Sequence, residues 1–89
     1  MELRRYDNQA VDITAVYFRR RGQGTLESYP KRMLIEGQEY TFGESAMRYL
    51  IRQGQALIQL FDVSDGQRQY RLRLDEQQRW TLVGMKAVA

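Results

Sequence analysis

Tyr70-Arg71-Leu72-Arg73-Leu74-Asp75-Glu76-Gln77-Gln78-Arg79-Trp80-Thr81-Leu82 is the stretch whose reading decides the fold. Tyr70, Leu72 and Leu74 alternate with Arg71 and Arg73, so an extended chain there has one apolar face and one face carrying two guanidinium groups. Asp75 to Gln78 make a polar turn, after which Trp80 and Leu82 alternate with Arg79, Thr81 and Val83. The chain's single tryptophan is therefore expected to close an apolar layer over Tyr70, Leu72 and Leu74. An aromatic side chain of this kind buries about 150 to 250 Å² and can dominate a small core.

Working outward from that hairpin, Ala56 to Val63 has Leu57, Ile58, Leu60 and Phe61 on both faces, the pattern of a central strand. Ser64-Asp65-Gly66-Gln67 then supplies a hairpin turn, because Asp-Gly readily takes the positive φ that a tight turn demands. Val11, Ile13, Ala15 and Tyr17 alternate with Asp12, Thr14, Val16 and Phe18, which predicts a first strand. Val16 and Phe18 make its far end apolar on both faces, so that end is expected to be covered on both sides. Arg19-Arg20-Arg21 and Gly22-Gln23-Gly24-Thr25 follow as a turn, with the loop expected to run to about Pro30. Lys31 to Phe42 reads as a hairpin around Gly37-Gln38.

Residues 43–55 support two readings. Ala46, Met47, Leu50 and Ile51 share a helical face, with Glu44, Arg48 and Arg52 stacked at i, i+4. Met47, Tyr49 and Ile51 also alternate as in a strand, and we take the strand reading, leaving a short helix over 44–53 as the alternative. The sum is a mainly β, five- to six-stranded antiparallel meander or partly open barrel. Residues 1–89 form one domain, since so short a chain cannot build a second core, and residues 1–10 are expected as an N-terminal arm or lead-in. Met85 to Ala89 either extend the last strand or fray.

Composition narrows the chemistry. The chain has no cysteine and no histidine, which removes disulfides, thiol nucleophiles, serine triads and zinc sites. Glu36, Glu39 and Glu44 lie near one another in sequence, but strand alternation separates them. Gly22-Gln23-Gly24 lacks the helix and lysine of a phosphate loop, and Asp62, Asp65 and Asp75 lack the spacing of a calcium loop. The expectation is a protein that is not an enzyme and takes no cofactor and no metal. No apolar run reaches the roughly 18 to 20 residues a membrane span needs, and the polar start at Glu2, Arg4, Arg5 and Asp7 is unlike a signal peptide. A cytoplasmic location without membrane contact is expected.

The net charge of +3 is concentrated at the front: seven basic residues face four acidic ones up to Leu34, and the remainder balances at seven against seven. Twelve of the fourteen basic residues are arginine, whose planar fork suits phosphate and carboxylate. Arg19, Arg20, Arg21, Lys31, Arg32, Arg71 and Arg73 are the candidate nucleic-acid-binding residues, with Tyr6, Tyr29 or Tyr49 as stacking partners. The bland alternative is a solvated arginine face with the tyrosines used in packing. A second reading, of a different class, is a protein-interaction or homo-oligomerisation module using Val11 to Phe18 as an exposed edge strand, the chain then being a monomer or a homodimer.

Arg4-Arg5-Tyr6-Asp7 before a strand, Val16-Tyr17-Phe18 running into a glycine loop, Pro30, Gly37-Gln38-Glu39-Tyr40, Tyr70-Arg71-Leu72, Asp75 and Trp80-Thr81-Leu82 together resemble a family of small uncharacterised bacterial β-rich domains. Segments related to it occur at the C-terminal end of some Y-family DNA-polymerase-like proteins. Met33-Leu34-Ile35 stands where that pattern has an aromatic-rich segment ending in tryptophan. The resemblance implies no catalytic residues and an accessory role near DNA transactions.

Overall fold

The computed structural model describes residues 4–87, with side chains from Asn8 onward. Seven strands succeed one another: β1 (Arg4–Arg21), β2 (Thr25–Ile35), β3 (Gln38–Thr41), β4 (Met47–Gln53), β5 (Ala56–Ser64), β6 (Arg68–Leu74) and β7 (Trp80–Ala87). They form one open antiparallel sheet in the order β3-β2-β1-β7-β6-β5-β4. Consecutive strands are neighbours except β3 and β4, which end the sheet on opposite sides, while the first and last strands pair in its middle.

The mainly β antiparallel expectation holds, with two corrections, and the strand reading of the 43–55 segment is the one realised. There are seven strands and not five or six, and the sheet is open. No helix forms over 44–53, because residues 47–53 pair with β5 from Met47–Asp62 to Gln53–Ala56 and this ladder satisfies a backbone that a helix of two turns would leave half bonded. The supposed lead-in is strand from Arg4, where it pairs with Met85 of β7; residues 1–3, 88 and 89 and the Tyr6 side chain lie outside what is described.

β1 is long because it serves two partners. It pairs with β7 up to Val11 and with β2 from Asp12 to Arg21. Its ladder is interrupted between Arg5 and Gln9, where Asn8 takes φ 48°, and again between Ile13 and Val16. Bulges of this kind bend a strand and sharpen its twist, and asparagine tolerates the left-handed conformation better than most residues. The bends bring the β1–β2–β3 half over the β5–β6–β7 half. Pro30 sits inside β2 rather than at its mouth; β3 pairs only with Arg32 to Ile35, so no donor is missed on that side.

Met33, Leu72, Phe42, Phe61 and Leu82 are essentially inaccessible. Phe61 of β5 meets Tyr29 of β2 edge-on at 5.8 Å and Trp80 of β7 at 5.3 Å. Phe42 and Tyr40 meet Tyr70 at 5.5 and 5.9 Å. Trp80 is only partly buried and packs against the cluster. It flanks the core rather than closing it, because its neighbours Val11 and Leu74 lie at the end of the folded sheet. The apolar alternation of β6 is as expected, with Tyr70, Leu72 and Leu74 buried and Arg71 and Arg73 turned the other way.

Turn chemistry fixes the register. Glu36 and Gly37 both have positive φ, 49° and 80°, as a two-residue type I′ loop requires; the turn is therefore Glu36-Gly37, one residue earlier than expected. In the Asp65-Gly66 turn, the Asp65 carboxylate accepts from the backbone N–H of Gln67 and Arg68 at 2.9 and 2.8 Å and from the Tyr70 hydroxyl at 2.9 Å.

Two expectations follow. Phe61→Ala should cost about 3 to 5 kcal/mol and Trp80→Ala less, since the indole keeps part of its surface in water; urea titrations of the two variants decide the order. Burial and then the bond to Asp65 push the Tyr70 phenol up to about 12. Desolvation opposes, but the Arg68 and Gln67 N–H groups and the Tyr70 hydroxyl outweigh it and hold Asp65 below the usual carboxylate range. The tyrosine contribution is complete below its unfolded pKa of about 10 and is lost as pH rises towards 12; the aspartate contribution is present above about 3.9 and is lost as pH falls through the lowered value. Tyr70→Phe should flatten the alkaline loss of urea stability between about pH 10 and 12 compared with the parent chain.

Candidate nucleic-acid interface

Strand alternation divides the arginine triplet. Arg19 continues the inward set Ile13, Ala15 and Tyr17, whereas Arg20 continues the outward set Val16 and Phe18. Inward, the Arg19 guanidinium lies 4.3 Å from the centre of the Tyr29 ring and 5.8 Å from that of Tyr17. It donates to the backbone carbonyls of Glu44 at 2.8 Å and Ala46 at 3.2 Å, and to the Tyr17 hydroxyl at 3.3 Å. Arg19 thus ties the end of β1 to the segment that leads into β4. This is work inside the fold, which the fork geometry of arginine is suited to do.

Arg20 and Arg21 flank the turn at Gly22, whose φ is 61°. Together with Arg19 they line a cleft of about 590 Å³, completed by Gly22, Glu27, Tyr29, Arg48 and Leu50. Arg19, Arg21 and Arg48 there surround one carboxylate, with Arg20 at the rim on the outward side. Glu27, whose side chain is 13% exposed, accepts from Arg48 at 2.7 Å and lies 3.7 Å from Arg21. It also accepts from the Tyr29 hydroxyl at 3.1 Å, and burial first, then this bond, raises the Tyr29 phenol above its ordinary value. Arg48 additionally donates to Gln59 at 2.9 Å. A single acid cannot neutralise this set, so the cleft carries a net positive field.

The other expected residues lie elsewhere. Lys31 pairs with Glu44 at 3.2 Å and stands over Tyr17. Arg32 is partly buried in the ladder between Ala15 and Thr41. Arg71 grips Asp62 with two bonds of 2.7 and 2.9 Å, a pairing that raises its already high pKa. Arg73 lines a larger cavity of about 700 Å³ beside Trp80, where Asp12 and Asp75 balance Arg73 and Arg79. That cavity is roomier but neutral, so it is the weaker anion site. The seven residues do not form one surface: Arg19 to Arg21 gather, and Arg71 and Arg73 sit on the outward face of β6.

Of the stacking candidates, Tyr29 is buried and Tyr49 is partly exposed on β4, 5.9 Å from the Arg71 guanidinium. Phe18 is 65% exposed and Val16 45%. The expected double cover of this end of β1 is absent because β7 stops pairing at Val11, leaving the outward face of the β1–β2 hairpin open. Leu26, opposite Arg20, joins them. Arg48 was not among the sequence candidates. Its strand position was readable, but its placement beside Glu27 depends on the sheet folding over.

Among the described residues no group of three His, Cys, Asp or Glu side chains is placed to hold a metal ion, and no helix is long and apolar enough to cross a membrane. Compared with known families, curated proteins and solved structures, the chain matches no family, no protein and no structure.

Replacing Arg19 tests its internal role. Arg19→Lys keeps the charge but cannot reach two carbonyls and stack on Tyr29 together. It should lower the urea midpoint nearly as far as Arg19→Ala, a loss of about 1 to 3 kcal/mol. Full rescue by lysine would show that charge alone matters there.

Proposed function

We propose that this chain is a non-catalytic module that binds single-stranded nucleic acid at the end of the β1–β2 hairpin, in a role accessory to DNA transactions, as the family resemblance implies. The observation that carries the reading is the placement of Arg20 and Arg21 at the rim of the cleft that Arg19 and Arg48 also line, with Phe18 exposed on the strand face that also bears Arg20. Phosphates take the guanidinium groups and a base stacks on the ring, the combination by which single strands are held without sequence preference. Arg20 and Arg21 carry the contact, because Arg19 and Arg48 are already committed to bonds within the fold. Phe18 and Leu26 have no packing role that explains their exposure, and apolar surface beside cations is a usual sign of a binding site.

Fluorescence anisotropy with a labelled oligo-deoxythymidine at two salt concentrations tests the reading. Binding should weaken with salt, and Arg20→Ala with Arg21→Ala should reduce the salt slope by about 0.7 for each phosphate contact removed. Phe18→Ala should weaken binding about tenfold without changing that slope. Lys86→Ala, remote on β7, should do neither. Absence of binding at low salt, or binding indifferent to Arg20 and Arg21, would overturn the assignment.

A further inference from the structure

β1 pairs with β7 only up to Val11 and with β2 only from Asp12, so Asp12 to Phe18 keeps one unpaired side, as an edge would, but the irregularities between Ile13 and Val16 blunt it as a template for a further strand. The strands that end the sheet are β3 and β4. β3 has four residues and is protected by its shortness. β4 has seven, no proline and no lysine. Met47, Tyr49, Leu50 and Ile51 are 58, 38, 52 and 36% exposed. Only β5 pairs with β4, so one row of its backbone donors and acceptors faces outward, beside apolar side chains that nothing among the described residues covers.

We propose that β4 pairs with β4 of a second copy of this chain, antiparallel, about a two-fold axis at Tyr49. A two-fold pairing sets the same strand against itself, so its register must be self-complementary. With Tyr49 opposite Tyr49, Met47 faces Ile51 of the partner and Arg48 faces Leu50, and no like charges oppose. Centring on Leu50 instead would set Arg48 against Arg52, which costs stability. On the outward face, Met47, Tyr49 and Ile51 then continue across the axis as one apolar stripe with the partly exposed Leu60 of β5 behind it.

Charge complementarity points the same way. Arg52 near the end of β4 is exposed and has no acidic partner among the described residues, while Glu44, just before β4, is paired with Lys31 at 3.2 Å but keeps its side chain 62% exposed and open to a second cation. An antiparallel pair brings the arginine of each copy towards the glutamate of the other, twice over. The Ala46 carbonyl is already held by Arg19, so the ladder begins at Met47, where the apolar run begins.

The cysteine-free sequence makes the register directly testable on the whole chain. Single cysteines placed in turn at positions 47, 49, 50, 51 and 53, under a mild oxidant, should give disulfide-linked dimer most efficiently for Tyr49→Cys, because only residues opposite themselves come within bonding reach. Sedimentation velocity over about a hundredfold range of concentration should show reversible dimer in the parent chain. Arg52→Glu should weaken the dimer about tenfold, and Glu44→Arg combined with Arg52→Glu should restore it. A strictly monomeric chain, or preferential cross-linking at Leu50→Cys, overturns the proposal. So does a monomer whose β4 amides gain hydrogen-exchange protection only on adding an extended acidic peptide, since the occupant would then be a partner strand. These readouts need no nucleic acid and stand apart from the oligonucleotide titration.

Discussion

The contact of Phe61 with Tyr29 across the interior is the constraint on which the rest of the structure depends. A single sheet has no second layer to cover its apolar face, so it must fold over and bury that face against itself. Phe61 projects from one half and Tyr29 from the other, and their edge-to-face meeting at 5.8 Å is possible only because β1 bends between the two halves. The bend is supplied by backbone irregularity at Asn8 and between Ile13 and Val16. Once the halves meet, β2 stands opposite β4 and β5. Glu27 can then reach Arg48, and Arg19 can reach the carbonyls before β4. The cleft is thus a by-product of closure: its walls are strands far apart in sequence that the core forces together.

Local pattern was legible wherever a strand obeys its own alternation. The buried positions of β6, the two-faced apolar character of β5 and the Asp65-Gly66 turn all follow from side-chain period and turn chemistry. What failed was information held between distant strands. Asn8 in a polar stretch gives no sign that residues 4–10 have a partner, since that partner is β7, some seventy residues on. Trp80 looked central because it is the largest side chain, yet its position at the end of the fold leaves the centre to Phe61. Val16 and Phe18 looked covered because apolar residues on both faces usually mean two covers; the second cover was missing because β1 changes partner just before them.

The same distinction governs the arginines. Sequence proximity suggested that Arg19, Arg20 and Arg21 act alike, but alternation turns Arg19 inward, where its hydrogen-bonding capacity is used by Tyr17, Glu44 and Ala46. Arg71 is likewise consumed by Asp62. An arginine with two or three protein partners is part of the scaffold, whatever its charge, because moving it to a ligand would strand those partners. The groups least committed within the fold are those it leaves at its rim, Arg20 and then Arg21, which is 74% exposed and only loosely paired with Glu27. A tally of basic residues along the chain could not have separated the two kinds.

Arg48 and Leu50 belong both to the cleft and to β4, and this links the two proposals in space. A two-fold axis at Tyr49 would bring the clefts of both copies near that axis, since Arg48 and Leu50 line them. A strand of nucleic acid long enough to engage one cleft would then find the second at high effective concentration, and its overall affinity would exceed that of either site alone. By the same linkage, an oligomer spanning both clefts would tighten the β4 pairing, whereas a short one confined to a single cleft would leave it unchanged, since only a ligand that binds the dimer better than the monomer can shift that equilibrium.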